Sequence, residues 1–290
     1  MYGFRWRVRY RKLFYCLREM NMERITSGKN PKIRRLLDLQ QKSAVRRTEG
    51  LFVVEGQREL QHCLEAGYEV ETVFCCPSLM GAYSLPDCRR FEVTAEVYEK
   101  IAYRGTTEGI VAEVRIQTHT LDDLFAPAVS PPSNRPNKSP LIIVLEGVEK
   151  PGNLGAILRS ADAAGVDGVV VCDPKTDLYN PNLIRSSIGA IFTVPTVACT
   201  SEACIDFLKR NDIRILTAQL QDSNLYYDTD MRQPTAIVMG TEATGLTDRW
   251  REAADAHIRI PMLGRLDSLN VSVSAAILMF EAVRQRNGLG

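Results

Sequence analysis

The 290-residue sequence has no apolar run of membrane-spanning length; its longest, such as Leu141–Leu145 and Val169–Cys172, fall far short of the roughly 20 residues a spanning helix needs. The basic start is not followed by an uninterrupted apolar stretch, so no secretory leader is expected. The eight cysteines include no C-x-x-C pair and no regular spacing. A disulfide framework and a metal site are therefore not expected, and the thiols read as reduced core residues of a cytoplasmic protein. There is no G-x-G-x-x-G and no Walker loop, which counts against dinucleotide and P-loop chemistry. No internal repeat is present. What remains is an ordinary globular balance, 45% hydrophobic and 24% charged, with length enough for two domains that each bury a core.

The charge is unevenly placed. Residues 1–58 carry 15 Lys and Arg against 5 Asp and Glu, whereas the rest carries 21 against 30, so a net charge of +1 conceals a basic end. Such an end suits a polyanion, although a solvated basic surface would give the same count. In residues 1–21, Arg5, Arg7, Arg9, Arg11 and Lys12 interleave with Phe4, Trp6, Tyr10, Phe14 and Tyr15. That mixture fits stacking on single-stranded RNA. Met20 and Met22 offer alternative starts, so a disordered tail or a mis-assigned start is the preferred reading over a functional arm.

Residues 22–116 read as a small α/β domain. The periodicity of Pro31–Ala44 predicts one helix with a basic flank, and Gln57–Glu65 predicts another that stops at Gly67. Leu51–Val54, Val70–Cys75 and Gly109–Val114 read as strands. Residues 117–139 form a linker, because Ala126–Pro140 holds five prolines and almost no apolar periodicity. Residues 140–290 alternate strands and helices, which predicts a mainly parallel α/β sheet. Its strands are expected at Leu141–Glu146, Val169–Cys172, Arg214–Thr217, Ala236–Met239 and His257–Ile260, and its helices at Leu154–Ala164, Asn182–Ile188, Ser201–Arg210 and Val271–Arg286.

Three segments of this second domain carry chemistry. In Asn153–Gly165, Asn153 is placed to cap a helix, and Gly155, Arg159 and Asp162 share one face, where an arginine near the helix start can fork onto a phosphate. In Ile237–Leu246 a strand runs into a loop bearing Gly240, Glu242 and Gly245, at the end where α/β sheets bind ligands. In Ile258–Ala276 a strand and a glycine-containing loop lead to a helix with two candidate caps, Ser268 and Asn270. Taken singly, these are equally a capped helix, a tight turn and close packing.

Together, and in this order, they resemble the SpoU (TrmH) family of RNA 2′-O-ribose methyltransferases of the SPOUT superfamily. The resemblance lies in N-x-G-A-I-x-R-x-A-x-x-x-G at Asn153–Gly165, G-x-E-x-x-G at Gly240–Gly245 and S-L-N-V-S-x-x-x-A at Ser268–Ala276. Lys29–Lys32 and Gly50–Gly56 extend it to the small RNA-binding domain that many members carry. The resemblance implies a parallel sheet whose C-terminal segment threads a trefoil knot, a rare exception to unknotted topology. It also implies S-adenosylmethionine as cofactor and a homodimer. Matched by motif position, Gly240, Ile260 and Leu269 would contact the cofactor, and Asn153, Arg159, Glu242, Ser268 and Asn270 would form the reaction centre. Lys29, Lys32, Arg34 and Arg35 are the candidate RNA-binding residues. No histidine lies within the signatures, so no histidine base is indicated. Arg159 is expected to clamp phosphate or oxyanion, because a free guanidinium stays protonated, with any basic role left open, and Glu242 to orient Arg159 or Asn270 ahead of taking the proton itself. The expected substrate is ribosomal RNA ahead of tRNA. The alternatives are a non-catalytic RNA-binding member and, in another class, a nucleotide-dependent oxidoreductase, which NAD binding would reveal.

Overall fold

A computed structural model describes residues 22–103, 108–125, 139–241 and 244–287. The Arg/aromatic start, most of the proline-rich linker and Glu242 lie outside the described residues. The chain forms two compact units: the first is the chain up to Leu60 with Glu69–Arg115, the second Gln61–Tyr68 with the chain from Ile116 onward.

The first unit begins with β1 (Glu23–Ile25), α1 (Pro31–Gln41), α2 (Ser43–Glu49) and β2 (Leu51–Glu55). Helix α3 (Gln57–Glu65) starts in it, and β3 (Val70–Cys75), α4 (Pro77–Met80), β4 (Arg89–Val93), α5 (Ala95–Ile101) and β5 (Ile110–Arg115) complete it. The strands make a mixed sheet in the order β1-β4-β3-β5-β2. Asn30 starts α1 by accepting from the Lys32 N–H at 2.9 Å, with Pro31 pre-set for the first turn. Ile33, Leu36 and Leu39 then bury one stripe against Phe74, Phe91 and Tyr98. The single helix expected over 31–44 is instead two, broken at an extended Lys42. The reason lies in Arg46, buried on α2, whose guanidinium donates to the carbonyls of Leu39 (2.6 Å) and Gln40 (3.1 Å). A side chain arriving from beyond the break satisfies the open end of α1. Strands β1 and β4 escaped the sequence reading because one is very short and the other is half charged.

The second unit runs β6 (Leu141–Glu146), α6 (Pro151–Ala164), β7 (Gly168–Cys172), α7 (Pro181–Ser186), α8 (Ala190–Thr193), β8 (Thr196–Cys199) and α9 (Ser201–Arg210). It continues through β9 (Arg214–Ala218), β10 (Asn224–Leu225), β11 (Thr235–Met239), α10 (Asp248–Ala253), β12 (Ala256–Arg259) and α11 (Val271–Arg286). All neighbouring strands are parallel, in the order β10-β12-β9-β11-β6-β7-β8. A parallel sheet is covered on both faces, which is why β6, β7 and β11 are buried along their whole length. Helix α11 packs on α6, and its Arg286 is anchored by donating to the carbonyls of Met231 (2.8 Å) and Gln233 (2.8 Å). Leu121–Phe125, within the expected linker, forms a 3-10 turn whose Leu124 is buried in the core of this unit. Among the described residues, no helix is long and apolar enough to cross a membrane.

Candidate active site

The three motif segments meet at the carboxyl ends of the parallel strands, the edge at which open α/β sheets bind ligands. Strands β9, β11 and β12 end around a cavity of about 340 Å³, within the range of small-molecule sites. Its walls include Gln219, Gly240, Arg259, Ile260, Ser268 and Leu269. All three residues matched to cofactor contact, Gly240, Ile260 and Leu269, therefore face one space. Gly240 is required by close approach: a Cβ there would lie 2.3 Å from the backbone carbon and oxygen of Gly245. The loop folds back tightly, with Gly245 N–H donating to the Thr241 carbonyl at 3.0 Å and Thr244 N–H to Thr241 Oγ1 at 3.0 Å. Backbone and apolar side chains thus form much of the wall, as suits a flat heterocycle and a methionine-like chain.

A second cavity, of about 210 Å³, is lined by Gly240, Thr241 and Val271 as well, and adds Lys150, Asn153 and Lys175. Here the first and third segments join, since Asn270 Nδ2 donates to Asn153 Oδ1 at 3.2 Å. Asn270 also caps α11, accepting from Ser272 N–H at 3.0 Å, so the same side chain fixes the helix start and reaches across to α6. Ser268 does not cap; its hydroxyl donates to Asp267 Oδ1 at 3.2 Å on the cavity wall.

Asn153 does not cap α6 either. Pro151 begins the helix, which therefore starts earlier than expected, and Asn153 lies inside its first turn with its side chain turned to Asn270. Gly155 serves packing: a Cβ would fall 2.0 Å from Ser186 Oγ and 2.8 Å from the Ser186 carbonyl carbon. Asp162, on the same face, accepts from Thr193 Oγ1 at 2.6 Å. Arg159 is exposed, lines neither cavity, and has no ion-pair or hydrogen-bond partner among the described residues.

The candidate RNA-binding cations of the first unit differ in what surrounds them. Lys29 and Arg34 are exposed. Lys32 pairs with Glu23 at 2.6 Å and lies 4.6 Å from the Phe91 ring centroid. Arg35 is enclosed by carboxylates, at 2.6 Å from Glu49, 2.8 Å from Glu113 and 3.7 Å from Glu71. Burial pushes the Glu113 carboxyl up to about 7 against the pull of Arg35, with Glu71 and Glu49 adding to the rise.

One positioning group went unread in the sequence. Glu146, buried at the end of β6, accepts from Thr247 N–H (2.8 Å) and Thr247 Oγ1 (2.7 Å), tying the exit of the Gly240–Gly245 loop to the sheet. The available signal was an acidic residue closing an otherwise apolar strand.

Known proteins share this architecture. Residues 140–280 match the SpoU rRNA Methylase family and residues 30–112 the MRM3-like substrate binding domain. A TrmH family tRNA/rRNA methyltransferase of Staphylococcus saprophyticus is 38% identical over 53% of this chain, which spans 62% of that relative's length. The 23S rRNA (guanosine-2′-O-)-methyltransferase RlmB of Vibrio vulnificus is 36% identical over 67% of this chain and 77% of its own. Among solved structures, the AdoMet-bound rRNA methyltransferase of Sinorhizobium meliloti superposes with a TM-score of 0.79 at 27% identity, over 91% of this chain and 98% of that one. With both regions matched, one of them around the cavity and its glycine loop, the chain belongs to the SpoU rRNA methylase family.

Proposed function

We propose that this protein transfers the methyl group of S-adenosylmethionine to a ribose 2′-hydroxyl of ribosomal RNA. The observation that carries the reading is the junction of the three segments: a glycine-walled cavity beside the Asn153–Asn270 hydrogen bond. The cavity fits the cofactor in size, in its apolar lining and in the backbone wall that only Gly240 permits. Gly240, Ile260 and Leu269 would hold it. When bound, the cofactor supplies a methyl group activated by its sulfonium, so the protein's main task is in-line placement of the ribose oxygen.

Asn153, Ser268 and Asn270 orient that oxygen at the cavity mouth. Arg159 clamps the adjoining phosphate and offsets charge on the oxygen as its proton leaves. Glu242 orients Arg159 or Asn270. The exposure of Arg159 and of Val273 and Phe280 on α11 supports a homodimer in which a second copy covers this side. A threaded, knotted C-terminal segment and a cytoplasmic location follow from the same family reading. Lys29, Lys32 and Arg34 would draw in the RNA, whereas Arg35, expected among them, is engaged by Glu49, Glu71 and Glu113; the named 23S rRNA relative favours ribosomal RNA over tRNA. Mapping 2′-O-methyl sites in total RNA of a deletion strain against its parent tests the proposal. One ribosomal site should vanish; an unchanged rRNA map, or loss confined to tRNA, overturns it.

A further inference from the structure

The sequence spacing gives no metal signature, yet folding gathers three thiols. The sulfurs of Cys172, Cys199 and Cys204 all lie within 4.8 Å of one another. Two local rules bring them together. Cys172 and Cys199 end the neighbouring parallel strands β7 and β8 and are register partners. Thr200 caps α9 by accepting from Ala203 N–H at 3.2 Å, so Cys199 precedes the cap and Cys204 lies in the following turn. Those two positions fold toward each other at a helix start, the arrangement in which apolar pairs staple a helix entry. Here both members are cysteines, and the strand partner adds a third.

We propose that Cys172, Cys199 and Cys204 form a binding site for a thiophilic divalent cation of the zinc class. A metal–sulfur bond of about 2.3 Å places the sulfurs of a tetrahedral site roughly 3.8 Å apart, so the observed cluster needs only small side-chain rotations. Cys172 and Cys204 are buried and Cys199 is partly exposed. The cation therefore has a way in, and a fourth position remains for water.

Charge selects the class. Three thiols bind M²⁺ with release of three protons to solvent, leaving one net negative charge. A monovalent ion would leave two, next to the Asp173 carboxylate, which accepts from Ser201 Oγ at 2.6 Å and Ser201 N–H at 3.2 Å. These bonds also set the frame. Asp173 N–H donates to the Cys199 carbonyl at 2.9 Å and Trp250 Nε1 to Ser201 Oγ at 3.1 Å, so the backbone carrying the thiols is held from outside the cluster. The site would bind together the carboxyl ends of β7 and β8, where Ser201 also reaches Glu146, the carboxylate that ties down the Gly240–Gly245 loop.

The test uses the reduced, metal-stripped full chain titrated anaerobically with Cd²⁺. Thiolate-to-metal charge-transfer absorption should rise to a plateau at one ion per chain, and Zn²⁺ should displace it. Cys199→Ser and Cys204→Ala should each remove the band, while Cys75→Ser with Cys76→Ser leaves it intact. Circular dichroism checks that the variants are folded, and Cys199→Ser is the milder change. Zn²⁺ should raise the unfolding temperature of the wild type and not of Cys199→Ser. Absence of a plateau in the wild type, or a full plateau in folded Cys199→Ser, overturns the site. AdoMet binding measured on the same samples reports separately on the methyltransferase reading.

Discussion

Arg35 and Arg159 stand on helices of similar design, α1 and α6, each with a proline in its first turn. Their surroundings are opposite. Arg35 is surrounded by Glu49, Glu71 and Glu113, whereas Arg159 is exposed without a partner among the described residues. An arginine already held by three carboxylates is committed to the fold. One left exposed without a partner keeps its fork open to an anion. The contrast separates two roles that look alike in sequence, and it can be tested at both ends.

The largest effect is expected at Arg159. Arg159→Ala should lower single-turnover methyl transfer about a hundred- to thousandfold, and Arg159→Lys should not restore it, because the charge survives but the fork does not. Cofactor affinity, measured by calorimetry, should stay within a few-fold. Turnover near the wild-type rate in Arg159→Ala would assign this residue to the solvated surface.

Arg35→Ala should act on stability. Removing one member of a fully buried pair costs about 3–5 kcal/mol; because Arg35 keeps 39% of its side-chain surface exposed, about 2 kcal/mol is expected. Chemical denaturation reads this directly, and a silent substitution would end the structural assignment. The partner Glu113 gives a pH signature. Its folded-state carboxyl titrates near 7 against 4.5 unperturbed, so the folded protein holds the proton more tightly. Its contribution is complete below pH 4.5 and is lost as pH rises through 7. Stability of the wild type should therefore decline across that window, and Glu113→Gln should flatten the decline.

The smallest effect is expected from Lys29 and Arg34, which are exposed. Changing both to Ala should weaken RNA binding and reduce the log–log salt slope by about 0.7 per lost contact if the RNA is single-stranded there. Stability should hardly move. If Arg35→Ala alters the salt slope as much as this pair does, the division between structural and ligand-facing arginines fails.

Much of this was legible before the structure. The alternation of strands and helices over residues 140–290 predicted the parallel sheet, and its strands β6, β7 and β11 are buried along their length, as strands covered on both faces are. Gly240, Ile260 and Leu269, picked out by motif, line one cavity, and the close backbone approach at Gly240 is a constraint that leaves a strict residue signature. What escaped depended on contacts distant in sequence. Arg46 ends α1 from another helix, and no periodicity in Pro31–Ala44 announces it. Asn153 resembled a cap, but Pro151 had already begun the helix and Asn270 claimed its side chain. The three clustered cysteines come from one strand pair and one helix turn, so no linear spacing could reveal them. Strand β4, carrying Arg89, Arg90 and Glu92, resembled surface chain until β1 and β3 paired on either side of it.

The most direct test of the central claim is methyl transfer by the purified full chain. It should be incubated with methyl-labelled S-adenosylmethionine and ribosomal RNA, and the RNA then digested to nucleosides. The account predicts label on a ribose 2′-oxygen of one nucleoside, abolished or nearly so by Arg159→Ala. Label on a base, or no label together with saturable binding of NAD in place of S-adenosylmethionine, would contradict it.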